Sequence, residues 1–238
     1  MIVAGIDGCP AGWFGFSVGD DDKFDFGVFK SPDELVIALK ADLYFIDMPI
    51  GLNETDAQRR CDTELRKLLP LGLKSSVFSP PVKAALHANT YNEACSINAM
   101  YSGKKISLQA WNIMPKIAAL DSFLEDNPGY RKLFLESHPE TAFLHLNNGN
   151  PLIHKKRKKA GLLERLVLLN QLWSRAEAAY EIVRMRTSRN QVRSDDIADA
   201  MVLTLAARRF YPGNYLTLPE EQESGVQIHV PQKKLPRV

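Results

Sequence analysis

The chain has 238 residues, of which 45% are hydrophobic and 24% charged, with a formal net charge of +2, a size and apolar content that suit one α/β domain carrying insertions. No apolar run approaches ~18 residues, which excludes a membrane-spanning helix, and Cys9, Cys61 and Cys95 are too few and too scattered for a zinc site or a disulfide framework. The N-terminus opens directly on a strand-like run with no basic leader, so a cytoplasmic location is the default expectation.

Residues 2–8 read as a buried strand ending in Asp7, and Gly8-Cys9-Pro10-Ala11-Gly12 as a turn. Trp13 to Val18 and Phe24 to Phe29 are two further strands around the polar turn Asp20-Asp21-Asp22, which makes an antiparallel meander. Ser31-Pro32-Asp33-Glu34 then carries a helix start, with Ser31 as N-cap, Pro32 at the first helical position and Glu34 completing a capping box. That helix runs to about Ala41, and Leu43 to Met48 is a buried strand, parallel to the first because a helix leads back to it. Pro49 and Gly51 stop it just after Asp47.

About residues 55–125 are rich in helical spacing, over Ala57–Leu69, Ala94–Met100 and Ala110–Leu124. Residues 132–136 form a short strand ending in Glu136, Ala160 to about Met185 reads as one long amphipathic helix, and Asp195 to Arg208 is a last, mostly apolar helix. The tail from Tyr211 contains two short strands. The basic run Lys155-Lys156-Arg157-Lys158-Lys159, preceded by His154, and a second cluster of Arg184, Arg186, Arg189 and Arg193 can follow a phosphate backbone, or be no more than solvated loop and helix ends.

Asp7, Asp47 and Glu136 each close an apolar strand, and Asp196 and Asp199 open the last helix three residues apart, on one face. An ionised carboxylate in apolar surroundings is costly unless something offsets it. Singly, each acid has a local explanation. Asp7 can accept turn hydrogen bonds, Asp47 can cap the loop after it, and Asp195 or Asp196 can complement the helix dipole. Asp199, one turn inside an apolar helix, is hardest to explain that way. Ligands of open α/β sheets sit beyond the carboxyl ends of parallel strands. Together the five acids therefore point to a shared divalent cation bound through oxygen and to two-metal hydrolysis of a phosphodiester.

Four ordered motifs carry a resemblance: Gly5-Ile6-Asp7-Gly8-Cys9-Pro10-Ala11-Gly12-Trp13, Ile46-Asp47-Met48-Pro49-Ile50-Gly51, Glu136-Ser137-His138-Pro139-Glu140 and Asp195-Asp196-Ile197-Ala198-Asp199-Ala200. Arg60-Cys61-Asp62, Ser75-Ser76-Val77-Phe78 and the stretch from Ile106 to Ile117 support them. They resemble a family of predicted nucleases with an RNase H-like fold, known as domain of unknown function 429, over nearly the whole chain to about residue 210. The closing Asp-x-x-Asp-Ala is similar to that of Holliday junction resolvases of the same fold.

The resemblance implies an RNase H-like mixed five-stranded sheet in the order β-β-β-α-β-α-β-α, formed by residues 1–210. A helical insertion falls between the fourth and fifth strands, and residues 211–238 are an extension. It also implies Mg²⁺ or Mn²⁺, nucleic acid as partner, Asp7 bridging the metals, Asp47 binding one, and Asp199 with Asp196 completing the site. Glu136 would be a further ligand or a base that orients water. From the residues themselves, His138 is a helix cap, an outer-sphere donor or a general acid. Arg60 is a surface ion-pair member or a phosphate contact, and Lys116 reaches the acids or extends to solvent. Two other functions compete. Gly5 to Gly12 resembles the phosphate hairpin of actin-like ATPases, which would make a nucleotide phosphohydrolase, but no second copy of it follows. The other is a non-catalytic module that binds nucleic acid or protein.

Overall fold

The computed structural model describes residues 1–55, 58–210, 215–220 and 226–232. A five-stranded mixed sheet has the order β3-β2-β1-β4-β5, built from β1 (Ile2–Cys9), β2 (Gly12–Gly19), β3 (Phe24–Phe29), β4 (Leu43–Ile46) and β5 (Phe134–Glu136). The first three strands form the antiparallel meander, with Cys9 paired to Gly12 across a tight turn. Gly12 has φ +136°, and a Cβ there would run into the Phe29 carbonyl oxygen, so only glycine closes this hairpin without strain. β4 and β5 lie parallel to β1, in the registers Ile6↔Ile46 and Ile46↔Glu136.

Helix α1 (Pro32–Leu39) makes the crossover from β3 to β4. Its start is a reciprocal cap, in which Ser31 Oγ accepts the Glu34 amide at 3.2 Å and the Glu34 carboxylate accepts the Lys30 amide at 2.8 Å. It ends at Lys40 in the left-handed conformation. Between β4 and β5 come α2 (Arg60–Leu68), α3 (Tyr91–Ser102) and α4 (Leu108–Asp126), with short 3-10 turns among them. After β5 follow α5 (Pro139–Leu146), α6 (Lys159–Leu172), α7 (Ala176–Arg186) and α8 (Ser194–Phe210).

The single long helix expected over 160–185 is thus two. Trp173 turns extended, with φ −150° and ψ 108°, and buries its ring edge-on against Phe16 and Phe24 at centroid distances of 6.0 and 5.9 Å. Arg175 follows it, donating to the Asp22 carbonyl at 2.7 Å and covering the Phe24 ring. These contacts with the meander outweigh the modest preference of residues 173–175 for continuing the helix.

Side chains alternate across the sheet. Val3, Phe14, Phe16, Leu43 and Phe45 pack against α5 to α8, while Ala4, Ile6, Trp13, Tyr44 and Ile46 pack against α1, α3 and α4. A third apolar cluster joins Cys61 and Leu65 of α2, Leu69 just after it and Leu144 of α5 to the antiparallel pair β6 (Tyr215–Leu218) and β7 (Ile228–Pro231). Among the described residues no helix is long and apolar enough to cross a membrane.

Candidate functional site: an acidic cleft at the carboxyl ends of β1 and β4

β1 and α8 touch almost backbone to backbone. A Cβ on Gly5 would collide with the Ala200 carbonyl oxygen and the Thr204 amide, so glycine is required for the approach. Thr204 Oγ1 ties the pair together, 2.8 Å from the Phe16 carbonyl oxygen and 2.9 Å from that of Ala200. This contact carries the N-terminal half of α8 over the end of β1. Asp7 follows Ile6, Asp47 follows its register partner Ile46, and the Asp47 amide extends the ladder by donating to the Ile6 carbonyl at 3.0 Å. By strand parity both acids lie on the α8 face, where Asp199 is fully buried.

The electrostatics follow from this convergence. Burial first, then the charges of Asp47, Asp199 and Asp196, hold the Asp7 carboxyl well above the usual carboxylate range. Asp47 and Asp199 are each pushed up to about 6, again by burial first, with Lys156 pulling the other way. Lys156 supplies the local countercharge: its Nζ lies 2.7 Å from Asp199 Oδ2, and the charges of Asp199, Asp7 and Asp47 all raise its pKa. Asp199 Oδ1 is buried without a hydrogen-bond partner. Among the described residues no three His, Cys, Asp or Glu side chains stand ready-made around a cation position. The oxygen-only donors, the raised pKa values and the orphaned Asp199 Oδ1 nevertheless fit a hard divalent ion.

Glu136, expected with these acids, lines the same cavity, but its charge is not among those acting on Asp7, Asp47 or Asp199. Glu136 pairs in register with Ile46, not with Asp47, and one residue of offset places it on the opposite face of the sheet. There it forms a bidentate pair with Arg59, Nη1 to Oε2 at 2.8 Å and Nη2 to Oε1 at 2.6 Å, and accepts the Ile50 amide at 2.7 Å. Arg59, 3% exposed, also grips Asp62 through Nε at 3.1 Å and Nη2 at 2.6 Å. Burial raises the Glu136 pKa against the pull of Arg59. The residue in phase with Asp7 and Asp47 is Ser137, just after β5, whose hydroxyl donates to the His229 carbonyl at 2.6 Å. Arg60 faces solvent, with Nε 2.9 Å from Glu64.

The other candidates divide between cap and cleft. Asp196 accepts the Arg193 amide at 3.0 Å and so helps to cap α8, while its charge still acts on Asp7. Asp195 takes no such bond and lies 3.8 Å from Arg157 Nε. A cavity of about 780 Å³ opens from Asp7 and Asp47 and is lined by Lys116, Ser75 to Phe78, His138, Glu140 and Lys155 to Arg157, among others. Lys116 extends its stem over Gly8, where a Cβ would lie 3.0 Å from Lys116 Cδ. His138 stands at the N-cap position of α5 without making a side-chain cap bond. Burial lowers its pKa, its ring bonds the Ser76 backbone, and its Nδ1 is buried without a partner. Glu140, whose charge acts on Asp47 and Asp199, pairs with the buried Arg165 at 2.7 Å.

Lys155, Arg157, Lys158 and Lys159 are exposed, with Lys155 and Arg157 at the wall of the cleft. The loop before α8 packs on the β1–β2 turn through Ala11 N–H to the Gln191 carbonyl at 3.1 Å, and its Arg189 and Arg193 are exposed. Arg157, 3.8 Å from Asp195, and Arg193, immediately before α8, place one residue of each basic cluster at the start of that helix.

Fold and site together define an α/β protein with a carboxylate cluster where two parallel strands meet a closing helix. The chain belongs to the family described as Protein of unknown function (DUF429), whose model matches residues 5–224 and so covers every acid of the cleft. Comparisons with curated proteins and with solved structures gave no match.

Proposed function

We propose that the protein is a divalent-metal-dependent nuclease on an RNase H-like scaffold, hydrolysing phosphodiester bonds of DNA or RNA. The observation that carries the reading is the convergence of Asp7, Asp47 and Asp199 from β1, β4 and α8. The sheet order β3-β2-β1-β4-β5, with an antiparallel meander followed by two parallel strands and a helix laid over β1, supports the RNase H-like assignment. Mg²⁺ or Mn²⁺ would be held by Asp7, Asp47 and Asp199, with Asp196 alongside, and would supply Lewis-acid polarisation of a phosphoryl oxygen and a water of lowered pKa.

The chain's own residues do the rest. Lys116, Lys155 and Arg157 offer cations to the phosphates on either side of the reacting bond. His138, whose pKa burial lowers, lines the cleft wall beside the acids with its Nδ1 buried and unpartnered. Glu136 and Arg59 hold the segment after β4 through the Ile50 amide, and so fix the backbone that follows Asp47. One observation favours a second reading, a non-catalytic nucleic-acid-binding module: the Lys156 ammonium already offsets the acids without any metal.

Anomalous diffraction from a crystal soaked in Mn²⁺ separates the two readings. A manganese peak about 2.1 Å from oxygens of Asp7 and Asp199 is the expected result. A cleft in which Lys156 stays on Asp199 at millimolar Mn²⁺ supports the non-catalytic module.

A further inference from the structure

Lys156 belongs to the most basic run of the chain, yet it is only partly exposed and its ammonium is directed into the acids. Its neighbours Lys155, Arg157, Lys158 and Lys159 are all exposed, and Asp199, its partner at 2.7 Å, is fully buried. The turn that presents it is anchored at both ends. The amides of Ile153 and His154 donate to the Glu164 carboxylate at 2.7 and 2.9 Å. The Lys158 amide closes on the Lys155 carbonyl at 2.9 Å, and that carbonyl fits against α6 only because residue 161 is glycine. Arg165 reaches the His154 carbonyl at 3.4 Å while gripping Glu140 in the cleft wall. The backbone under Lys156 is therefore tied to the wall of the site, and its side chain is the part free to rotate.

We propose that Lys156 is a tethered cation that occupies the acid cluster in competition with the divalent ion and thereby sets the metal affinity of the site. This rests on the reading of Asp7, Asp47 and Asp199 as metal ligands. An ammonium and a divalent ion on one buried carboxylate repel strongly in surroundings of low dielectric, so occupancy by one expels the other. A tethered competitor acts at a high effective concentration, which holds the site closed to the metal until the ion outcompetes it. Nearby Lys116 and Arg157 do not fill this role. Lys116 lies over Gly8, and Arg157 faces Asp195.

Calorimetric titration of Mn²⁺ into wild type, Lys156→Gln, Lys156→Arg and the control Lys132→Gln, exposed and outside the cleft, tests it. Acetic anhydride labelling of wild-type Lys156, read by mass spectrometry with and without Mn²⁺, is the second measurement. Lys156→Gln should bind Mn²⁺ at least tenfold more tightly than wild type, with Lys156→Arg and Lys132→Gln close to wild type, and Mn²⁺ should raise the labelling of Lys156. Equal or weaker binding by Lys156→Gln, labelling unmoved by Mn²⁺, or no Mn²⁺ binding by any form overturns the inference. Wild-type cleavage alongside unchanged Lys156→Gln affinity would remove this inference and leave the nuclease reading standing. Tighter binding without cleavage by any form would do the reverse.

Discussion

At the residue scale the cleft is defined by acids held where charge is disfavoured. Desolvation pushes the half-buried Asp47 and the fully buried Asp199 up to about 6 in the folded protein, against about 3.9 in an unfolded chain. Between those values the folded state binds more protons, so their contribution to stability falls as pH rises from about 4 to about 6 and stays low above. Asp47→Asn removes one such group. In EDTA it should be more stable than wild type at pH 7, by on the order of 2 kcal/mol, with the gap closing toward pH 4. Thermal melts from pH 4 to 8 check this, and a gap that does not vary with pH contradicts it. Which acids shared the site was only partly legible. Asp7, Asp47 and Asp199 followed from apolar runs that end in an acid. Glu136 satisfied the same rule but is one residue out of phase, a fact that requires the Ile46↔Glu136 register. Lys156 could not be told from its four basic neighbours, since the turn that directs it inward depends on Glu164 and Gly161 in the next helix.

At the element scale two contacts hold the cleft in shape. The first is the β1–α8 approach at Gly5. Gly5→Ala puts a methyl against backbone atoms that cannot rotate away, and it should cost about 3 kcal/mol and weaken Mn²⁺ binding by moving Asp199 away from Asp7. Denaturant melts and calorimetry read both effects; a neutral Gly5→Ala would mean that the helix sits further off. The second is the Arg59 clamp. Arg59→Ala leaves Glu136 and Asp62 buried without their cation and should destabilise by about 3–5 kcal/mol. Glu136→Gln should be destabilising too, yet leave Mn²⁺ affinity as in wild type. Loss of Mn²⁺ binding in a folded Glu136→Gln protein would return Glu136 to the ligand set. The meander, the capped α1 and the apolar α8 were legible from local pattern alone. The α6–α7 break was not, because Trp173 and Arg175 leave the helix for partners on β2, β3 and the turn between them, more than 140 residues away in sequence.

At the scale of the whole molecule, the chain brings a residue from each of two basic clusters, Arg157 and Arg193, to the helix end that carries the acids, so a polyanion can lie across the acidic cleft. Replacing Lys155, Arg157, Lys158 and Lys159 together with glutamine should weaken nucleic-acid binding and reduce the slope of log affinity against log salt by about 2–3. An unchanged slope in anisotropy titrations would reduce the run to a solvated loop. The central claim is that the Asp7 cluster is a metal-dependent phosphodiester-cleaving centre, and the most direct measurement is cleavage itself. Wild type and Asp7→Asn are incubated with single-stranded, duplex and branched DNA and RNA in Mg²⁺, in Mn²⁺ and in EDTA. The account predicts that wild type cuts at least one of these substrates with metal and none in EDTA, and that folded Asp7→Asn cuts none. Cleavage by Asp7→Asn at the wild-type rate, or none by wild type on any substrate with either metal, would contradict it.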